Sequence, residues 1–241
     1  YGYHRDLHSF PTRRSSDLAA LRGRAALTFA HHSAGAPVAT DWSFAPDPVL
    51  EPVTEIVSVH GNSEAPDGPM PIRDPVAGNW VRDVLGRGVR LGFVGSGDGH
   101  DGHPGLAHLA APSGGLAGVW SEERTREGVL SALRARRAYA TNGPRIWLRV
   151  TLAGREMGEA VPAGALAEGA ELVVRVAAPA PIARVEVIQA GQLATRAEGE
   201  GLRELALRWQ APALQPGAFL YVRVLQEDGG AAWSSPFFVE E

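Results

Sequence analysis

Val89-Arg90-Leu91-Gly92-Phe93-Val94-Gly95-Ser96-Gly97-Asp98-Gly99-His100 is an apolar run that opens into a glycine-rich turn carrying an acid and an imidazole. A short apolar run bounded by turn residues is the pattern of a buried strand. Two earlier stretches repeat the arrangement. Ala25-Ala26-Leu27-Thr28-Phe29-Ala30 is followed at once by His31-His32, and Glu55-Ile56-Val57-Ser58-Val59 by His60, with Glu64 shortly after. Gly115-Leu116-Ala117-Gly118-Val119-Trp120 is a fourth candidate strand. Between them, Asn79 to Leu85 sets Trp80, Val81, Val84 and Leu85 on one helical face, and Gly86 ends it. Thr125 can cap a helix running to about Ala138, whose C-terminal Arg134, Arg136 and Arg137 suit the helix dipole. Strands alternating with helices predict a parallel sheet or barrel.

After Gly143-Pro144 the helical pattern stops. Ile146 to Leu152, Glu171 to Val176, Ala183 to Ile188, Leu202 to Trp209, Phe219 to Leu225 and Ser234 to Val239 are short alternating runs separated by Gly, Pro and Asp-Gly-Gly turns. Such spacing predicts a β-sandwich over residues 144–241, and an α/β unit over 19–143. The sandwich carries Trp147, Trp209 and Trp233, which are either core residues or, if exposed in a groove, contacts for a carbohydrate or protein.

Composition removes several functions. With 44% hydrophobic and 21% charged residues the chain reads as globular. A net charge of −4 gives no basic footprint for nucleic acid. There are no cysteines, so disulfides, zinc–thiolate sites and thiol nucleophiles are absent. No apolar run reaches the roughly 20 residues of a membrane span. None of these facts fixes the compartment or the oligomeric state.

Tyr1 to Leu18 has no apolar periodicity. It resembles a translated short-read sequencing adapter, in which TTC CCT ACA CGA CGC TCT TCC GAT CT encodes Phe10 to Asp17 and opens the Leu18 codon. A polar N-terminal arm is the competing reading. On the adapter reading residues 1–18 are a disordered artefact, His4 and His8 leave the ligand set, and genuine sequence before Ala19 is missing.

All histidines beyond the adapter lie between positions 31 and 108. His31-His32 follows the first strand, His60 the second, and Asp98 and His100 the third, with Asp101, His103 and His108 beyond. Each cluster alone could be ordinary loop structure, since Asp and Gly favour turns whatever the function. Three strand ends each presenting a ligand is harder to obtain by accident. Imidazole and carboxylate together suit Zn, Mn or Fe.

With Phe29-Ala30-His31-His32-Ser33 and Gly95-Ser96-Gly97-Asp98-Gly99-His100 in view, the chain resembles the PHP (polymerase and histidinol phosphatase) superfamily. It is most similar to a branch of that superfamily with an appended β-sandwich. Thr125-Arg126-Glu127, Ala135 to Gly143, and Ala232-Trp233-Ser234-Ser235-Pro236 resemble further signatures of that branch. The resemblance implies the C-terminal part of a distorted (β/α)7 barrel and a cluster of two or three divalent ions. It implies metal ligands at His31 or His32, with His31 favoured, and at Asp98 and His100. The superfamily's opening His-x-His has no counterpart here.

The expected chemistry is hydrolysis of a small-molecule ester or phosphoester by water whose pKa the metal lowers to about 7. His60 or His103 is the candidate proton donor, and Glu64 a carboxylate that orients an imidazole. With the first ligands missing, this chain is expected to bind metal poorly and to be inactive, whereas the full-length protein is expected to be a hydrolase. The competing expectation is a non-catalytic module whose sandwich binds carbohydrate or protein beside a degenerate barrel.

Overall fold

The computed structural model of the protein describes residues 17–100 and 114–241. The helical pattern expected at Asn79–Leu85 forms as α1 (Val81–Gly86), which buries Val81, Val84 and Leu85. Its first backbone donors have no side-chain cap. Val81 N–H donates instead to Ser63 O (2.9 Å) and Arg82 N–H to Glu64 O (3.0 Å), which satisfies groups that a helix start leaves open. Thr125 does cap α2 (Arg126–Arg134), its hydroxyl accepting Gly128 N–H at 3.0 Å. This helix stops short of Ala138 because Arg136 enters the left-handed region (φ 58°) and the chain turns into strand β5 (Ala138–Thr141).

The first parallel strands form as expected. β1 (Val53–Ser58) pairs in parallel with β3 (Gly92–Gly95), and Ala30 makes a parallel bridge to Thr54 on the other side of β1. A two-residue strand, β2 (Gly61–Asn62), folds back antiparallel onto the end of β1. Here the α/β barrel expectation fails. β4 (Leu116–Val119) and β5 run antiparallel to each other, and β5 pairs with β14 (Ala231–Ser234). The sheet therefore continues into the C-terminal half instead of closing with helices around it. Among the described residues there is no (β/α)7 barrel, and the architecture is mostly β. The resemblance to the PHP superfamily, and the phosphoesterase reading that came with it, are withdrawn on this fold.

The C-terminal half is a sandwich. β6 (Trp147–Leu152), β7 (Arg155–Glu156), β9 (Ala170–Ala177) and β12 (Glu204–Ala211) form one sheet in the order β12-β9-β6-β7. The other runs β11-β10-β13-β14-β5-β4, from β10 (Ile182–Gln189), β11 (Gln192–Glu198) and β13 (Phe219–Gln226). β15 (Phe237–Glu240) joins it beside β13 and pairs in parallel with β8 (Ala160–Pro162). Leu148, Val150, Leu172, Val174, Val185, Val187, Val222 and Val224 meet between the two sheets. In β9 burial alternates along the strand, as one solvated face requires.

β13 does not alternate, because it is covered on both faces. Leu220, Val222 and Val224 face the sandwich core. Phe219 and Tyr221 face a second core made with Ile56 and Val57 of β1, Phe93 of β3, and Val81 and Leu85 of α1. The N-terminal sheet and α1 thus form a third layer on the back of the sandwich, and Arg223, buried at the same level, belongs to that layer's contacts.

Candidate metal centre

Three parallel strands bring their C-terminal ends together, and each ends in a ligand-bearing turn. His31 and His32 follow the bridge at Ala30, His60 follows β1, and Asp98 and His100 follow β3. Asp98 is the hub. Its Oδ2 lies 3.2 Å from His31 Nε2 and 3.0 Å from His60 Nε2, and its Oδ1 lies 3.2 Å from His100 Nε2. The His31 and His32 rings are 3.9 Å apart, His32 and His60 5.4 Å, and His60 and His100 5.7 Å. Two groups of ligand atoms result, His31/His32/Asp98 and His60/Asp98/His100, each with all its donor atoms within 4.8 Å of one another.

The backbone is bent to achieve this. His32 (φ 28°) and Asp98 (φ 48°) both adopt the left-handed region, which Asp tolerates and His rarely enters. Such outliers concentrate at functional sites. Gly61, directly after His60, has φ 108°, and a Cβ there would lie 2.7 Å from Met70 O, so only glycine lets β2 fold back.

Glu55 is the residue that sequence reading missed. It sits in the middle of β1, fully buried, and accepts from His31 Nδ1 (2.9 Å), His32 N–H (3.0 Å) and the Ser96 hydroxyl. The signal was present: an acid inside the uniformly buried run Val-Thr-Glu-Ile-Val-Ser is costly unless it is bonded, which points to a partner. With Nδ1 bound to Glu55, the Nε2 of His31 faces Asp98 and the common site, an arrangement that orients metal-binding imidazoles elsewhere. The Glu55 hydrogen bond raises the His31 pKa above its ordinary value, against the effect of burial. Burial and the neighbouring His31 lower that of His32. Replacing Glu55 by Gln is expected to weaken metal binding about tenfold, the lower end of the effect of such supporting partners. Isothermal titration checks it; unchanged affinity would reduce Glu55 to a packing residue.

Glu64 stands elsewhere. Expected beside an imidazole, it is instead turned toward the sandwich, where Tyr221, Arg223 and Trp233 take up its carboxylate. His103 lies outside the described residues, as do His108 and Asp101. Trp233 is buried and Trp209 packs against the sandwich core, whereas Trp147 is 42% exposed and meets Trp120 edge-on at 5.5 Å between ring centres. No described helix is long and apolar enough to cross a membrane.

The donor set, four imidazoles around one carboxylate, fits a borderline divalent ion such as Zn, Mn or Fe. His100 is 76% exposed and Asp98 only 6%, so the centre has an inner acidic floor and an open outer side.

Residues 103–170 match the family described as a protein of unknown function, DUF3604, a stretch that begins beyond the ligand cluster and runs through β4, α2, β5 and β6. Over 220 residues the chain is 30% identical to an uncharacterized protein of Chlamydia pneumoniae, and over 218 residues 32% identical to one of Chlamydia trachomatis; each match covers 80% of this chain. Among solved structures, a CARDB domain from Pyrococcus furiosus in complex with di-metal ions is 17% identical, covering 41% of this chain and 96% of that one, at a TM-score of 0.27. A Jonesia denitrificans lytic polysaccharide monooxygenase is 14% identical, covering 34% and 57%, at 0.25. The chain is thus similar in sequence to uncharacterized chlamydial proteins, of whose length it spans 35%.

Proposed function

We propose that this chain is a divalent-metal-binding module, in which His31, His32 and Asp98 hold one ion and His60, Asp98 and His100 a second. The observation that carries the reading is the convergence of ligands from three separate strand ends on one buried carboxylate. Each group offers three protein ligands, the number typical of centres that leave a position for water or substrate. A bound ion would supply a polarised water there. The hydrolytic form of this proposal is turnover of a small-molecule ester at the open side beside His100. The test is metal content after dialysis against Zn, Mn and Fe in turn. About two ions per chain are expected, one for each group. Stoichiometry below about half an ion, at ion concentrations that saturate ordinary histidine sites, overturns it.

A second reading concerns the sandwich. Trp147 presents its ring on the outer sheet, and Arg149 lies over its neighbour Trp120 (5.5 Å to the ring centre). An exposed aromatic beside a charged hydrogen-bonding side chain is a surface that suits a sugar ring. Retardation of the full chain in gels containing soluble polysaccharide, lost in Trp147→Ala, is the expected result. Equal mobility of both proteins with and without polysaccharide removes this reading.

A further inference from the structure

Glu64 is wholly buried, yet it lies four positions from His60 and is held from the opposite half of the molecule. Tyr221 Oη donates to its Oε1 (2.6 Å), Trp233 Nε1 to its Oε2 (2.9 Å), and Arg223 Nη1 to both oxygens (3.2 and 2.9 Å). Arg223, 5% exposed, is fixed in turn by Glu186 (2.6 Å), which also receives Arg184 (2.6 Å). Burial opposes the charge on Arg223, but Glu64 and Glu186 outweigh it and hold its pKa above the ordinary value. Burial, with Glu64 adjacent, keeps the Tyr221 phenol well above its own.

The chain between His60 and Glu64 has little freedom to absorb movement. Asn62 N–H donates to Met70 O (2.8 Å) and Ser63 N–H to Ile56 O (2.7 Å). The Asn62 side chain accepts Glu64 N–H at 2.9 Å. Ser63 Oγ accepts Ala34 N–H (3.3 Å), two residues beyond His32. The segment 60–64 therefore touches both ligand groups at one end and the sandwich at the other. A buried ion pair adds little net stability compared with apolar packing, and the best-attested return from one is a single specified geometry.

We propose that Tyr221, Arg223 and Trp233 act through Glu64 as positioning residues for the His60 arm, so that the sandwich is a working part of the metal centre. This rests on the metal-binding reading above. The test is titration of the full chain with Co2+, followed by visible absorption, for the wild type, Tyr221→Phe, His60→Ala and the double variant. Tyr221→Phe removes one hydrogen bond and keeps the ring; Trp233→Phe serves as a second mild change should the first fail to fold. Either is expected to weaken Co2+ binding about tenfold, in the range found for supporting partners of metal ligands, and to shift the spectrum toward that of His60→Ala. In the His60→Ala background the same change is expected to have no further effect, because the route it acts through is gone. Equal weakening in both backgrounds, or wild-type affinity in Tyr221→Phe, overturns the proposal. Amide exchange supplies an arm independent of metal: Asn62 and Ser63 are expected to exchange faster in Tyr221→Phe while β9 is unchanged, and a uniform change across both overturns it. If the wild type binds no Co2+, the metal reading falls and the exchange result alone decides the clamp.

Discussion

Arg223→Met is expected to lower the stability of the protein by about 3–5 kcal/mol, the cost of removing one partner from a buried ion pair. Methionine fills much of the arginine volume, so the loss measures charge and hydrogen bonding more than a cavity. Two carboxylates face the substituted side chain. Glu186 retains Arg184 (2.6 Å), which is partly exposed. Glu64 retains two neutral donors, Tyr221 and Trp233, but no cation in contact other than the lost one. Neutral donors do not repay the desolvation of a full charge. Set against a typical domain stability of about 5–15 kcal/mol, the variant is expected to melt on the order of 10 °C lower. In the variant, burial without a cation raises the folded pKa of Glu64 above its unfolded value, so its penalty grows as pH rises through the unfolded pKa. The gap from wild type is therefore expected to narrow as pH is lowered from 8 toward 5. Adding Glu64→Gln to Arg223→Met is expected to recover part of the loss. Denaturant unfolding at the two pH values checks this; a loss below about 1 kcal/mol at pH 8 would place the pair in the class of solvated surface bridges.

The pair is hidden in the sequence for a physical reason. Phe219-Leu220-Tyr221-Val222-Arg223-Val224 reads as an alternating strand with Arg223 on the wet face, because most sandwich strands have one. The real β13 has none, since a third layer covers its back. Period-2 patterns report that a strand is half-buried only when the other half meets water, and nothing local to β13 says what lies behind it. The same blindness produced the barrel expectation. Parallel strands with intervening helices are legible one unit at a time, whereas closure depends on which strand lies beside β3. That neighbourhood is set by β5 pairing with β14, a contact between residues about ninety positions apart. β11 was missed for a simpler reason: at the sheet edge, Gln192–Glu198 exposes most of its side chains and carries no apolar rhythm. Runs buried on both faces or alternating with water, such as those of β1 and β9, were readable because burial dictated their composition.

The site was more legible than the fold. His31, His32, His60, Asp98 and His100 were found because chemistry at a strand end does not depend on how the rest of the sheet closes. Glu64 was misplaced because proximity in sequence to His60 says nothing about the side on which a buried acid finds its donors.

Asp98→Asn is expected to abolish both ions at once, with affinity falling by at least on the order of 100-fold, the top of the range for partners that only support a ligand. The side chain keeps its shape, so the change tests charge and donor character. Asp98 belongs to both ligand groups, with Oδ2 between His31 and His60 and Oδ1 toward His100. The other ligands belong to one group each. His32→Ala and His100→Ala are therefore expected to remove one ion apiece and leave the other with near wild-type affinity. The apoprotein should barely notice Asp98→Asn, because the histidines facing it are partly exposed and such pairs contribute less than about 1 kcal/mol. A variant that melts like the wild type without metal but gains none of its metal-induced stabilisation would show that the carboxylate serves the ion and not the fold. Retention of one ion at full affinity by Asp98→Asn would mean that the two groups do not share their acid. The centre would then reduce to a single ion held by histidines, with Asp98 only orienting them.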